Sequence, residues 1–154
     1  MSKTIKVAFA GAHRAGAFFK AFQLHPETTI VALCDVYEPT LYEAGKATGM
    51  TQLFTSYEKM LDEAKPDVVV IATPMQFHAA QSIAALQRNI HVLCEVTAAV
   101  SLDEARWLVQ ACRQSSAVYM MAENCNYNRT IMLVSALADA GLFGEVYYAE
   151  GEYL

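Results

Sequence analysis

The stretch "KVAFAGAHRAGAFFKAF", Lys6 to Phe22, decides how the chain is read. A short apolar run from Thr4 to Ala10 has the β-branched and aromatic content of a strand, and Ala15 to Leu24 has the apolar spacing of a helix. Between them lie Gly11 and Gly16, five positions apart, where strand passes into helix. That is the place and spacing of the G-x-G-x-x-G fingerprint, in which the first glycine makes the turn and backbone amides at the helix N-terminus meet a pyrophosphate. The middle glycine is replaced by His13, whose Cβ narrows the approach to phosphate; His13 and Arg14 are expected to offset this through their side chains. Phe18, Phe19 and Phe22 fall at helical spacing and are expected in the core.

Working outward, the same alternation repeats to the end of the chain. Further strands are expected at Thr29 to Cys34, Asp67 to Ala72, Ile90 to Cys94 and Val118 to Ala122. Helices are expected at Pro39 to Thr48, Tyr57 to Ala64, Gln76 to Gln87, Leu102 to Gln114 and Asn128 to Ala140. Strands separated by helices imply right-handed crossovers and an α/β fold, a doubly wound parallel sheet with helices on both faces. Ser101 with Glu104 three residues on reads as a capping box, and Met120 and Met121 read as strand core. The domain is expected to span residues 1–142. The alternating "EVYYAEGEY" beyond Gly144 reads as a half-exposed strand, which either pairs at the sheet edge or opens a second domain at 143–154.

Composition excludes several classes. With 55% hydrophobic residues, 18% charged and a net charge of -5, the chain has a sizeable core and no electrostatic reason to approach nucleic acid or an acidic membrane. No apolar run approaches the roughly 20 residues that span a bilayer, and Gly11 comes too early for a secretory signal, so a cytoplasmic location is expected. Cys34, Cys94, Cys112 and Cys125 lie too far apart for a zinc motif and read as free thiols; no metal is expected.

Asp35 ends the second strand, 24 positions after Gly11 in sequence number, close to the roughly 20 at which an acid holds the ribose 2'-hydroxyl of a dinucleotide. A carboxylate there repels a 2'-phosphate, and neither Val36 nor Tyr37 supplies a cation, so NAD is expected over NADP. Ligands of such sheets lie beyond the carboxyl ends of the strands. Thr73, Pro74, His78, Glu95, Glu123, Asn124 and Tyr127 therefore become candidates, with His25 and His91 weaker because they sit in a turn and at a strand start. Each has a plainer reading as well: Asp35 as an exposed acid at a strand end, His78 as a packed helix histidine, Glu95 as a loop cap.

Taken together, "VAFAGAHRAG", "CDV", "VVVIATPMQFH", "HVLCEVTAAVSLDEA" and "ENCNYNR" resemble, in order and spacing, the Gfo/Idh/MocA group of NAD(P)-dependent oxidoreductases. The resemblance implies an N-terminal Rossmann domain, truncated here before a C-terminal α/β domain that carries much of the substrate site and the dimer interface. The full-length protein would then be a homo-oligomer acting on a small sugar or polyol. It implies that Gly11, His13, Arg14 and Gly16 surround the pyrophosphate and Asp35 the adenosine ribose. Thr73, Pro74 and His78 would line the nicotinamide side, with Glu95, Val96 and Asn124 near its ribose and carboxamide. The family's usual Glu-Lys-Pro is Glu95-Val96-Thr97 here, so the lysine that assists proton transfer is absent, leaving Tyr127 and His78 as candidate catalytic groups. "CEVTAA" and "AENCNY" are similar to a branch of NAD-dependent glycosidases that oxidise a sugar transiently and keep the cofactor. Hydride transfer to a sugar or polyol, such a glycosidase, a non-catalytic NAD sensor, and a module without cofactor are the readings carried forward.

Overall fold

The computed structural model describes residues 4–152. These divide into two compact units, one ending at Ala122 and one beginning at Glu123. The expected boundary after residue 142 falls inside the second unit.

The first unit is a parallel sheet built from β1 (Ile5–Ala10), β2 (Thr28–Cys34), β3 (Leu53–Phe54), β4 (Val68–Ile71), β5 (His91–Glu95) and β6 (Tyr119–Ala122), in the order β3-β2-β1-β4-β5-β6. The helices are α1 (Ala12–Leu24), α2 (Glu38–Thr48), α3 (Tyr57–Ala64), α4 (His78–Leu86) and α5 (Leu102–Gln114). This is the doubly wound order, two mononucleotide-binding halves that meet where β1 lies beside β4.

β1 explains why its sequence is almost continuously apolar. Its alternate residues serve two cores, so neither face can be polar. Val7 and Phe9 pack with Leu33, Val70 and the α1 and α2 residues Ala12, Ala15, Phe19, Leu41 and Ala44. Ala8 and Ala10 pack on the other face with Val69, Ile71 and Cys94, under Met60 and Leu61 of α3, Leu86 of α4 and Leu108 of α5. Phe9 meets Phe19 and Phe22 edge to face, with ring centroids 5.0 and 5.4 Å apart, a favourable aromatic geometry. Of the three expected core phenylalanines, Phe19 is buried, and Phe18 and Phe22 pack partly buried against it.

Four expectations need correction. β3 was not foreseen, because two residues, Leu53 and Phe54, are too few to carry a period; β2 selects them by pairing Leu33 with Leu53 and Cys34 with Phe54. α1 begins at Ala12 rather than Ala15, since the glycine turn leads straight into the helix. Met120 and Met121 are exposed rather than core, as fits an edge strand with an unpaired side. Residues 145–152 form no strand; alternation provides a face, and a strand also needs a partner for its backbone groups. Tyr153 lies outside the described residues.

In the second unit a 3₁₀ turn (Asn124–Tyr127) leads into α6 (Arg129–Asp139). Glu123 and Asn128 cap these elements by accepting from the amides of Cys125 and Thr130.

Candidate functional site

The turn after β1 is shaped for close backbone approach. Gly11 has φ +86°, and a Cβ on it would lie 2.4 Å from the carbonyl oxygen of Ala72, so no other residue fits without displacing β4. The Gly11 amide donates to the Cys34 carbonyl at 2.9 Å, which holds the turn against the end of β2. Gly16, in contrast, has nothing within 4 Å of where a Cβ would be, so the face of the first turn of α1 stays open beside it. His13 and Arg14 stand exposed on the same turn. As N-cap, Gly11 offers no side-chain acceptor to the helix; the Ala12 amide donates to Asp35, and the rest of the first turn is suited to an external anion.

Asp35 sits just past β2 and is oriented by two backbone amides. Its Oδ2 accepts from the Ala12 amide at 2.8 Å and its Oδ1 from the Tyr37 amide at 2.9 Å. The carboxylate therefore faces the glycine turn, and each oxygen retains acceptor capacity. Beside it lies a largely apolar slot of about 200 Å³, walled by Val36, Pro74 and Phe77 with Thr73 and Gln81 at its edge. Val36 and Phe77 are 87% and 49% exposed, so the slot offers apolar surface to a ligand. The Thr73 hydroxyl donates to Gln81 Oε1 at 2.6 Å, and the Tyr57 hydroxyl donates to the Gln81 carbonyl at 2.9 Å.

Glu95 ends β5 and is 7% exposed. Its carboxylate is met by Arg14, whose Nε donates to both oxygens at 2.8 Å and whose Nη2 pairs with Oε1. A buried carboxylate needs such a partner, and the fork geometry of arginine supplies it. The sequence placed Arg14 and Glu95 at separate parts of the cleft; the fold brings them together across the carboxyl end of β4.

His78 differs most from its sequence reading. It is 1% exposed, and its ring nitrogens are 2.7 Å from the Thr73 carbonyl and 2.8 Å from the Thr97 carbonyl. Both nitrogens thus face backbone carbonyls within the fold, the one that carries the N–H donating, and the imidazole is turned away from direct contact with a ligand. Pro74 and Val96 are exposed at the ends of β4 and β5. Asn124 and Tyr127 belong to the second unit, on its 3₁₀ turn. His25, in the turn after α1, and His91, at the start of β5, lie away from the carboxyl ends of the strands and accept at Nδ1 from the amides of Glu27 and Val118.

The two buried thiols, Cys34 and Cys94, are structural. Burial first, with Asp35 and Glu58 adding to it, pushes the Cys34 thiol up to about 12. Burial pushes Cys94 up to about 11 against the opposing effect of the Ser82 and Tyr119 hydroxyls. Neither is a nucleophile near neutral pH. Among the described residues, no three His, Cys, Asp or Glu side chains gather to hold a metal ion.

Gln81 was missed from the sequence. It lies in mid-helix with no motif, and only the packing of α4 over the slot shows its relation to Thr73.

The geometry agrees with what this chain resembles among known proteins. It is 33% identical over 162 residues to glycosyl hydrolase family 109 protein 1 of Bacteroides thetaiotaomicron, covering 99% of this chain and 35% of the relative. The corresponding protein of Stenotrophomonas maltophilia is 29% identical over 164 residues, covering 98% of this chain and 36% of the relative. Among solved structures, the WlbA dehydrogenase of Bordetella pertussis, crystallised with NADH and UDP-GlcNAcA, superposes with a TM-score of 0.86 at 28% identity. The match covers 94% of this chain and 45% of that one. The chain thus spans about a third of the length of the curated relatives it matches. With residues 5–123 matching the family of oxidoreductases with an NAD-binding Rossmann fold, and with the turn, acid and strand order that such a fold requires, the chain belongs to the Gfo/Idh/MocA oxidoreductase family.

Proposed function

We propose that the whole protein binds NAD in preference to NADP and exchanges hydride with a sugar or polyol. The observation that carries this is the repetition of one acid in both halves of the sheet. β2 and β5 are second strands of the two mononucleotide halves; Asp35 immediately follows the first, and Glu95 ends the second. Each stands at the carboxyl end of its strand, which supports a role toward the ribose of its own half. The fit to a dinucleotide is supported by the Gly11 turn that tolerates no Cβ, the open face at Gly16, and the apolar slot beside Asp35. Once bound, nicotinamide supplies a hydride acceptor and donor at C4.

This chain's own residues divide the remaining work. The first turn of α1, apart from the Ala12 amide that donates to Asp35, would face the pyrophosphate, with His13 beside it. Asp35 accepts from the adenosine ribose and repels a 2'-phosphate. Arg14 pairs with Glu95 and orients its carboxylate at the nicotinamide half. Val96 offers no proton-transfer group, so the acid and base of the reaction are assigned to other residues of the whole protein. A cytoplasmic location and assembly as a homo-oligomer complete the reading; four free cysteines suit a reducing compartment.

A second reading has its own support. Val96 in place of a proton-transferring lysine, together with relatives named as glycosyl hydrolases, favours a glycosidase in which oxidation is transient and the cofactor is regenerated. The full-length protein, offered aryl glycosides and free sugars, separates the readings. Aglycone release with NAD unconsumed supports the glycosidase, and stoichiometric NADH formation supports the dehydrogenase. Failure to bind NAD in calorimetry would remove both.

A further inference from the structure

We propose that His78 is a positioning residue that ties the two halves of the dinucleotide cleft together. The β4–β5 ladder ends with the pair Ile71 and Cys94. Beyond that point the two chains run out into the loops that frame the cleft, with no ladder to fix their separation. His78 bridges them there. Its ring lies between the carbonyl of Thr73, on the loop that borders the apolar slot, and the carbonyl of Thr97, two residues after Glu95.

The two ends of this bridge are not equally secured. Thr73 has a second anchor, its hydroxyl to Gln81 Oε1 at 2.6 Å, and the slot has Asp35 held by two amides. The loop after β5 is held to the β4 side through His78 at Thr97. Loss of the imidazole therefore frees the loop after Glu95, which itself keeps Arg14 and its pairing with Ala122, and leaves the Asp35 half nearly as it was. The ring is 1% exposed, so the N–H that it donates to Thr97 is held in place by packing.

The inference rests on the dinucleotide reading, and AMP serves as a probe of the first half alone. Calorimetry on the full-length protein compares AMP and NAD binding in wild type, His78→Leu, His78→Asn and His78→Gln. In His78→Leu, NAD affinity falls about tenfold or more while AMP affinity changes less than about threefold, the loss expected for one freed loop. Asparagine places its amide nitrogen near the position of Nδ1 and restores the bond to Thr97, so His78→Asn recovers most of the NAD affinity. His78→Gln reaches only toward Thr73 and does not. Equal losses for AMP and NAD, unchanged NAD affinity in His78→Leu, or rescue by glutamine as good as by asparagine would overturn the assignment. If the leucine variant does not fold, the contrast between asparagine and glutamine decides alone. A wild type that binds no NAD sinks the dinucleotide reading together with this one; a wild type that binds normally, with the wrong variant pattern, sinks only the role of His78.

Discussion

The Asp35 carboxylate accepts from the amides of Ala12 and Tyr37 before any ligand arrives, so its orientation is already set toward the glycine turn. Asp35→Ala removes both anchors and the ribose acceptor. NAD affinity is expected to fall by about tenfold or more, equivalent to ~1.4 kcal/mol, and the margin over NADP to narrow, as calorimetry with both dinucleotides will read. Unchanged NAD affinity would sink the role assigned to this acid. Arg14 and Glu95 form a second coupled pair. Arg14→Met strands a buried carboxylate and is expected to cost about 1–3 kcal/mol of stability, discounted from a fully buried pair because the arginine is half exposed. Arg14→Met combined with Glu95→Gln should recover part of that loss in a double-mutant cycle of denaturation midpoints. Additive losses would show that the pair contributes nothing as a pair. The place of Asp35 beside the glycine turn was legible in the sequence because it follows from a spacing. The pairing of Arg14 with Glu95, 81 positions apart, was not, since no local pattern links the first turn of one helix to the end of a distant strand.

At the scale of elements, caps and turns were read well wherever they obey local chemistry. Ser101 accepts from the Glu104 amide at 3.2 Å, and Glu104 reaches back to the Val100 amide at 2.8 Å, one residue before the N-cap. Ser101→Ala should lower stability by about 1 kcal/mol, visible as a small drop in melting temperature with cofactor affinity unchanged. A loss of NAD binding in that variant would mean that α5 does more than support the sheet. Gly11→Ala is a different case, because its Cβ would overlap the Ala72 carbonyl and the residue would be held at positive φ. It should cost well over about 2 kcal/mol and abolish NAD binding, and a folded, NAD-binding variant would refute the close-approach argument. β3 escaped the sequence reading for the opposite reason. Leu53 and Phe54 become a strand only because β2 presents an edge to them.

At the scale of the whole molecule, the buried thiols and phenols set the alkaline side of stability. Cys34 and Cys94 are held up to about 12 and 11, and burial raises the Tyr57 and Tyr119 hydroxyls above their usual range as well. In the unfolded chain these groups lose protons from about pH 8.5 upward, before the folded chain does. The unfolded state then binds fewer protons, so stability is fully present below that pH and declines as pH rises toward 12. Melting temperatures should be nearly level between pH 7 and 8 and fall above pH 9, and a flat profile to pH 11 would contradict the burial of these groups. What the sequence by itself determined is whatever repeats at short range: alternating strand and helix, the glycine turn, the acid after β2, and the family to which these belong. The tertiary structure alone decided which distant groups meet. It joined Arg14 to Glu95, set Gln81 against Thr73, and turned His78 inward between two carbonyls, because contacts across a parallel sheet depend on strand order and crossover packing, which leave no periodic trace in the chain.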